Sequence, residues 1–409
     1  MNNSITVLYI DPGTGSMLIS VFIGIFASLW FLLKKVYIKL KYGFDFRKAK
    51  QALDSKNDDV VIFSDSKRYI TLFLPILKEL DNENIKTKYL TFDDNDPILS
   101  EKFVNVTMKC IGKGNQAFSI LNTLSAHIVL STTPGLDVYQ WKKSKDVDKY
   151  VHILHEVGGA NEYRVFGLAF FDSVLLTGAF QIDEVRELEK LQHSKEKELV
   201  VVGSPYMDEL QNKYNRRKVM NDEKKYILVA PTWGKNGLLS RYGDKLIDSL
   251  LKTSYDIIIR PHPQSLISDK QVIDSIVNKY SGCDKIKFNY DIDNFDVLDK
   301  STIMISDYSG VIFDYAFVFN KPVLYISSDI NSDFNDSWFL NHEIYRYEAM
   351  RLLGRELKES DFDNIGSIIN ETIISENIVD NRKKVKDIMW QNRMLSVKTI
   401  VNYIMNNIK

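Results

Sequence analysis

"ISDYSGVIFDYAFVFNKPVLYI" (residues 305–326) lodges a polar knot, Asp307-Tyr308-Ser309-Gly310, between two apolar runs. Thr302 to Ser306 before it is short and β-branched, and Val311 to Phe319 after it spaces aromatics and aliphatics for a helix. Asn320-Lys321-Pro322 stops that helix, because proline cannot continue it, and "VLYI" reads as the next buried strand of a parallel sheet. The unit is strand, turn, helix, strand. Ser309 is the expected N-cap, and the amides of Gly310, Val311 and Ile312 lack intrahelical partners. A helix start of this kind holds an anion, and the expected ligand is a phosphate.

The same alternation runs outward in both directions. "VVIFSD" (60–65) reads as a buried strand, "SKRYITLFLPILKEL" as an amphipathic helix and "IKTKYLTF" as a strand, followed by "NVTMKCIG", "AHIVLST", "YVHILHE", "SVLLTG" and "ELVVVGSP". After the charged stretch 212–225 a second set begins, with "YILVAPTW", "YDIIIRPHP", "KIKFNY", "TIMISD" and "PVLYISS" as its strands. The pattern predicts two doubly wound, Rossmann-like α/β domains in tandem, 51–212 and 213–345, preceded by a membrane anchor with its basic flank (1–50). From Glu343 onward the chain reads as helices, so 346–409 is assigned to C-terminal helices.

Bulk properties bound the function. The 409 residues carry 53 Lys+Arg against 54 Asp+Glu, a formal net charge of −1, so no basic field argues for nucleic acid and any anion site is local. Cys110 and Cys283 form neither a disulfide framework nor a zinc pattern, and the sequence points to no metal or cofactor. Met17 to Leu33 has no charged residue and is followed by seven Lys/Arg within 34–50. Its length is the lower limit for a membrane span, and the basic flank places the rest of the chain in the cytoplasm at the cell membrane. A buried core helix or a monotopic hairpin is the other reading of this run. "DPGTGS" (11–16) lacks the strand and the Lys-Ser/Thr of a phosphate loop and reads as a turn at the membrane surface.

Ligands of doubly wound sheets sit at the carboxyl ends of the strands, and the polar residues gather there. Arg260 and His262 follow one strand, stiffened by Pro261 and Pro263, and a guanidinium and an imidazole suit a phosphate. Thr232, Trp233 and Lys235 lie in a small-residue loop that can meet a nucleotide. His155 ends another strand before a glycine pair, where a neutral imidazole serves as general base for a hydroxyl. His152, inside that strand, reads as a satisfied structural residue. His127, His193 and His342 read as ordinary, and Asp307 and Asp314 can bind a group, cap the helix or pair with a lysine.

"APTW", "RPHP" and "ISDYSGVIFDYAFVFNKPVLY", in this order, resemble the CDP-glycerol glycerophosphotransferase family of teichoic-acid and capsule synthesis, over roughly residues 150–345. The resemblance implies a GT-B-type pair of facing domains. A CDP-glycerol or related CDP-alditol donor would be held mainly by the second, and a lipid-linked or polymeric glycan would be the acceptor. It assigns the catalytic base to His155 and the donor pyrophosphate to His262 and the Ser309 turn, with Thr232, Trp233, Arg260, Asp307 and Gly310 as further donor contacts. Where that family commonly has His-Gly and Ser-Ser, this chain has His155-Glu156 and Ser309-Gly310. The competing readings are a GT-B glycosyltransferase using a nucleotide sugar and a catalytically silent membrane-docked subunit.

Overall fold

The computed structural model describes residues 28–30, 32–33, 59–218, 224–291, 293–327 and 336–408. The expected anchor at 17–33 therefore lies outside the described residues save for five positions, as do the basic flank at 34–50 and the turn at 11–16. Among the described residues no helix is long and apolar enough to cross a membrane.

Two all-parallel sheets form the body. The first contains β1 (Val60–Ser64), β2 (Thr87–Thr91), β3 (Val106–Cys110), β4 (Ser125–Ser131), β5 (Asp146–Ile153), β6 (Ser173–Leu176) and β7 (Glu198–Val201), in the order β3-β2-β1-β4-β5-β6-β7. The second contains β8 (Tyr226–Val229), β9 (Asp256–Ile259), β10 (Ile286–Phe288), β11 (Ser301–Ser306), β12 (Val323–Tyr325) and β13 (Gly354–Glu356), in the order β10-β9-β8-β11-β12-β13. The helices that shape the cleft are α1 (Ile70–Asn82), α2 (Phe180–Leu191), α3 (Pro205–Arg216), α4 (Leu238–Leu250), α5 (Val311–Val318), α6 (Tyr345–Leu353), α7 (Glu376–Met389) and α8 (Ser396–Asn407).

The inner strands β1, β6, β8 and β12 read as apolar runs because both faces are covered. Val60 and Ile62 pack with Phe73 and Ile76 of α1, while Val61 and Phe63 pack with Leu121 and Trp141 on the other face. Tyr226 and Leu228 face Phe313 and Phe317 of α5, and Ile227 and Val229 face Leu246 and Ile247 of α4. A side chain on alternate faces every second residue is what pleated backbone requires.

Three expectations need correction. The C-terminal stretch is not all helix, for β13 adds a strand to the edge of the second sheet, with Gly354 opposite Val323. A Cβ on Gly354 would stand 2.5 Å from the Val323 carbonyl oxygen, so only glycine fits this pairing. Its other residues, Arg355 and Glu356, are exposed and gave no apolar pattern. Ser309 does not cap α5: Gly310 is the N-cap residue, with φ −59° and ψ −25°, and no side chain caps the helix. Ile312 also has a partner, since its amide donates to the Ser309 carbonyl at 3.2 Å, so of the three amides Gly310 and Val311 are left without a backbone acceptor among the described residues. At the far end Asn320 takes the left-handed φ of 54° that ends a helix, with Pro322 beyond it.

The last helices are divided between the sheets. Val385, Met389 and Trp390 join the core around α5, whereas Ile400, Val401 and Ile404 of α8 cross back to pack with α1 and β1. The crossover is anchored by Asp208 of α3, a buried carboxylate that accepts from Trp390 Nε1 (3.2 Å), the Met394 amide (2.9 Å) and the Ser396 amide (3.2 Å). Truncating it strands buried donors. Asp208→Ala should lower the free energy of unfolding in urea by about 3 kcal/mol, and an unchanged transition midpoint would refute the anchor.

Candidate functional site

In each sheet the strand order reverses at one point, between β1 and β4 and between β8 and β11, and the loops that leave those strands part to form a crevice. The crevices meet. From the first sheet come Asp65, Arg68 and Tyr69 after β1, Thr132 after β4 and His155-Glu156 after β5. From the second come the 230–237 loop after β8, His262 after β9 and the 307–310 turn after β11.

The two cleft histidines are set up differently. His155 Nδ1 lies 3.1 Å from Thr132 Oγ1 and 3.3 Å from the Tyr163 hydroxyl, with the Tyr69 ring packed at 5.1 Å. An Nδ1–H donating to Thr132 leaves Nε2 as an acceptor. Burial lowers the His155 pKa, and Arg68 adds to this against the charges of Glu156 and Asp65, so the ring is neutral at neutral pH. His262 Nδ1 instead accepts the Gln264 amide at 3.1 Å, which puts the proton of a neutral ring on Nε2. Burial and then Arg68 hold its pKa below the usual value as well. His152 is structural, but it is not satisfied as expected: it is fully buried between the rings of Tyr163 and Phe171, and neither nitrogen has a partner among the described residues. Burial, with His155 second, pushes it down to about 3.

Asp307 takes a role that was only one of its readings. Its buried carboxylate accepts the Thr232 amide at 2.6 Å and the Leu238 amide at 3.0 Å, and so clasps the loop after β8 to the turn after β11. Thr232 is positioned by that bond, and Trp233 beside it is 50% exposed. Arg260 is drawn to its neighbouring strand: it donates to the Asn289 side chain and to the Asp291 carbonyl (2.8 Å), so two of its donors are committed away from the turn. Ser309 and Gly310 stand at the α5 start, facing Glu156.

Residues that carried no sequence signal close the seam. Arg346 of α6 is 6% exposed, donates to both Glu162 oxygens at 2.9 and 2.8 Å and to the Tyr308 carbonyl at 3.1 Å. Nothing in a helix beyond the last expected strand marks such a residue. Asp65 and Arg68, by contrast, sit just past the end of a strand, where polar residues are expected. Tyr206 of α3 donates to Asp314 of α5 at 2.7 Å. Burial pushes Asp314 up to about 7, the Tyr206 bond opposes this and the Glu156 charge adds to it. Because the folded value lies above that of an unfolded aspartate near 3.9, the stability it contributes is complete below about pH 4 and is lost as pH rises through 7. The free energy of unfolding should therefore fall between pH 5 and pH 8, and Asp314→Asn should flatten that fall by about 2 kcal/mol. Parallel pH profiles for the two proteins would show that Asp314 is ionised throughout.

Residues 184–334 match the family model of CDP-Glycerol:Poly(glycerophosphate) glycerophosphotransferase. Teichoic acid glycerol-phosphate primase of Bacillus subtilis (strain 168) is 30% identical over 146 residues, 33% of this chain and 35% of that protein. Teichoic acid poly(glycerol phosphate) polymerase of Staphylococcus epidermidis is 28% identical over 182 residues, 39% and 22% of the two. The chain thus spans about a third or less of the curated relatives it matches. In structure it resembles the wall teichoic acid polymerase TagF, with a TM-score of 0.58 and 14% identity over 94% of this chain and 98% of that one. UDP-GlcNAc 2-epimerase of Neisseria meningitidis gives 0.53 and 15% over 85% and 99%. At such identities the likeness is one of fold. Over residues 184–334, which hold the 230–237 loop, His262 and the Ser309-Gly310 turn, the chain is thus similar to the CDP-glycerol:poly(glycerophosphate) glycerophosphotransferases.

Proposed function

We propose that this chain transfers an alditol phosphate, glycerol phosphate foremost, from its CDP ester to a hydroxyl of a lipid-linked or polymeric glycan in teichoic-acid or capsule synthesis. The observation that carries this reading is the pair of partly buried, neutral histidines that the two sheets bring to one cleft: His262 keeps an N–H to donate, and an Nδ1–H given by His155 to Thr132 would leave its Nε2 to accept. His155 Nε2 takes the proton of the acceptor hydroxyl as its oxygen bonds to the glycerol-bearing phosphorus and the bond from that phosphorus to the CMP oxygen breaks. His262 Nε2–H and the open amides of Gly310 and Val311 hold the pyrophosphate oxygens and the departing CMP. Positioning and charge stabilisation carry most of such a transfer, and one general base adds about 10²–10⁴ in rate. Trp233 presents a ring face for the cytosine base. The facing sheets fit a GT-B-type division, with the donor on the second sheet and the acceptor on the first.

Given CDP-glycerol, CDP-ribitol and UDP-sugars, the purified protein should release CMP from a CDP-alditol, and a preference for a UDP-sugar would overturn the assignment. His155→Ala should lower turnover by about 10²-fold with donor affinity nearly intact. His262→Ala should weaken donor binding and turnover together, by about 1.5–3 kcal/mol. Full transfer by His155→Ala would remove it as the base. The reading also keeps residues 17–33 as a membrane anchor with the sheets in the cytoplasm, where the nucleotide is made. In spheroplasts, external protease should leave the chain intact, and cleavage there would reverse the topology.

A further inference from the structure

Gly310 has an ordinary helical φ of −59°, so backbone freedom does not call for glycine at this position. Space does. A Cβ there would stand 2.8 Å from Glu156 Oε2 and 3.5 Å from Arg346 Nη2. The Glu156 carboxylate has crossed from the first sheet to the α5 start of the second. Its Oε1 lies 3.7 Å from Arg346 Nη1, and it accepts no hydrogen bond among the described residues. Arg346 does not depend on it, because Glu162 already takes the guanidinium at 2.8 Å. Burial would push the Glu156 carboxyl up, but Arg346, His155 and Arg68 outweigh it, so the group is anionic at neutral pH. Its side chain is 48% exposed, open to the cleft and free to leave.

We infer that Glu156 is a built-in occupant of the anion site at the α5 start, which the donor's phosphate must displace. The features that attract a phosphate here, a helix start and a buried guanidinium, also attract a carboxylate, and two anions at van der Waals distance repel. Because the inference rests on the donor site proposed above, its test separates the two. CDP is titrated calorimetrically into the full chain, into Glu156→Gln, which keeps the shape and removes the charge, and into Gly310→Val, which obstructs the site; unchanged thermal unfolding certifies each fold. Glu156→Gln should bind CDP about tenfold more tightly or better, and Gly310→Val should bind it much more weakly. If Gly310→Val loses affinity while Glu156→Gln gains none, the occupant role falls and the donor site stands. If Gly310→Val binds CDP like the wild type, the donor site and its occupant fall together.

Discussion

A guanidinium buried at a seam must be paired, and Arg346 is paired from both sides. Glu162 belongs to the loop after β5 of the first sheet and the Tyr308 carbonyl to the turn after β11 of the second, so one side chain ties the loops of the two sheets together. Losing Glu162 would strip the buried guanidinium of its hydrogen-bonded counter-charge, which costs far more than the pair itself contributes. The cleft inherits its width from this constraint. Tyr206 and Asp314 add a second, neutral-leaning tie across the same seam, and the shared core of Val157, Met207 and Leu210 with Phe313 and Phe317 fills the space behind it.

Within the cleft the chemistry is divided by hydrogen bonds rather than by residue type. Both histidines are held neutral by burial, yet their Nδ1 partners differ, and that difference decides which can accept a proton and which can donate to an anion. Asp307 works one layer further back. Its two oxygens are filled by backbone amides, so it shapes the loop of Thr232 and Trp233. A carboxylate facing the α5 helix start would compete with an anionic ligand, which is why Glu156, whose carboxylate reaches Gly310, stands out.

Much of this was legible in residue order. Every strand from Val60–Ser64 to Val323–Tyr325 overlaps a run read as a strand, most plainly where both faces are covered and no polar side shows, as in β1, β6, β8 and β12. His155, His262 and the Ser309-Gly310 turn were marked by their places at the ends of such runs. Ser309 as a cap was a misreading of one residue, since a serine followed by glycine leaves two positions for the helix to begin. For Arg260 a strand end names only the neighbourhood, and Asn289 and Asp291, about thirty positions further along, take two of its donors.

The sequence by itself determined the alternating strands and helices of the two sheets, the polar ends of their strands and the strand-turn-helix-strand unit at 305–326, because each depends on periodicity and turn chemistry over a few tens of residues. Tertiary structure alone decided that the two edges face one another, that Arg346 locks them, that the last helix returns to the first sheet, that β13 extends the second and that Glu156 reaches Gly310. Except for β13, which pairs with a strand about thirty positions earlier but shows no apolar run, these rest on contacts between residues distant in sequence, such as Arg346 and Glu162, 184 positions apart, and no local pattern encodes the distance between them.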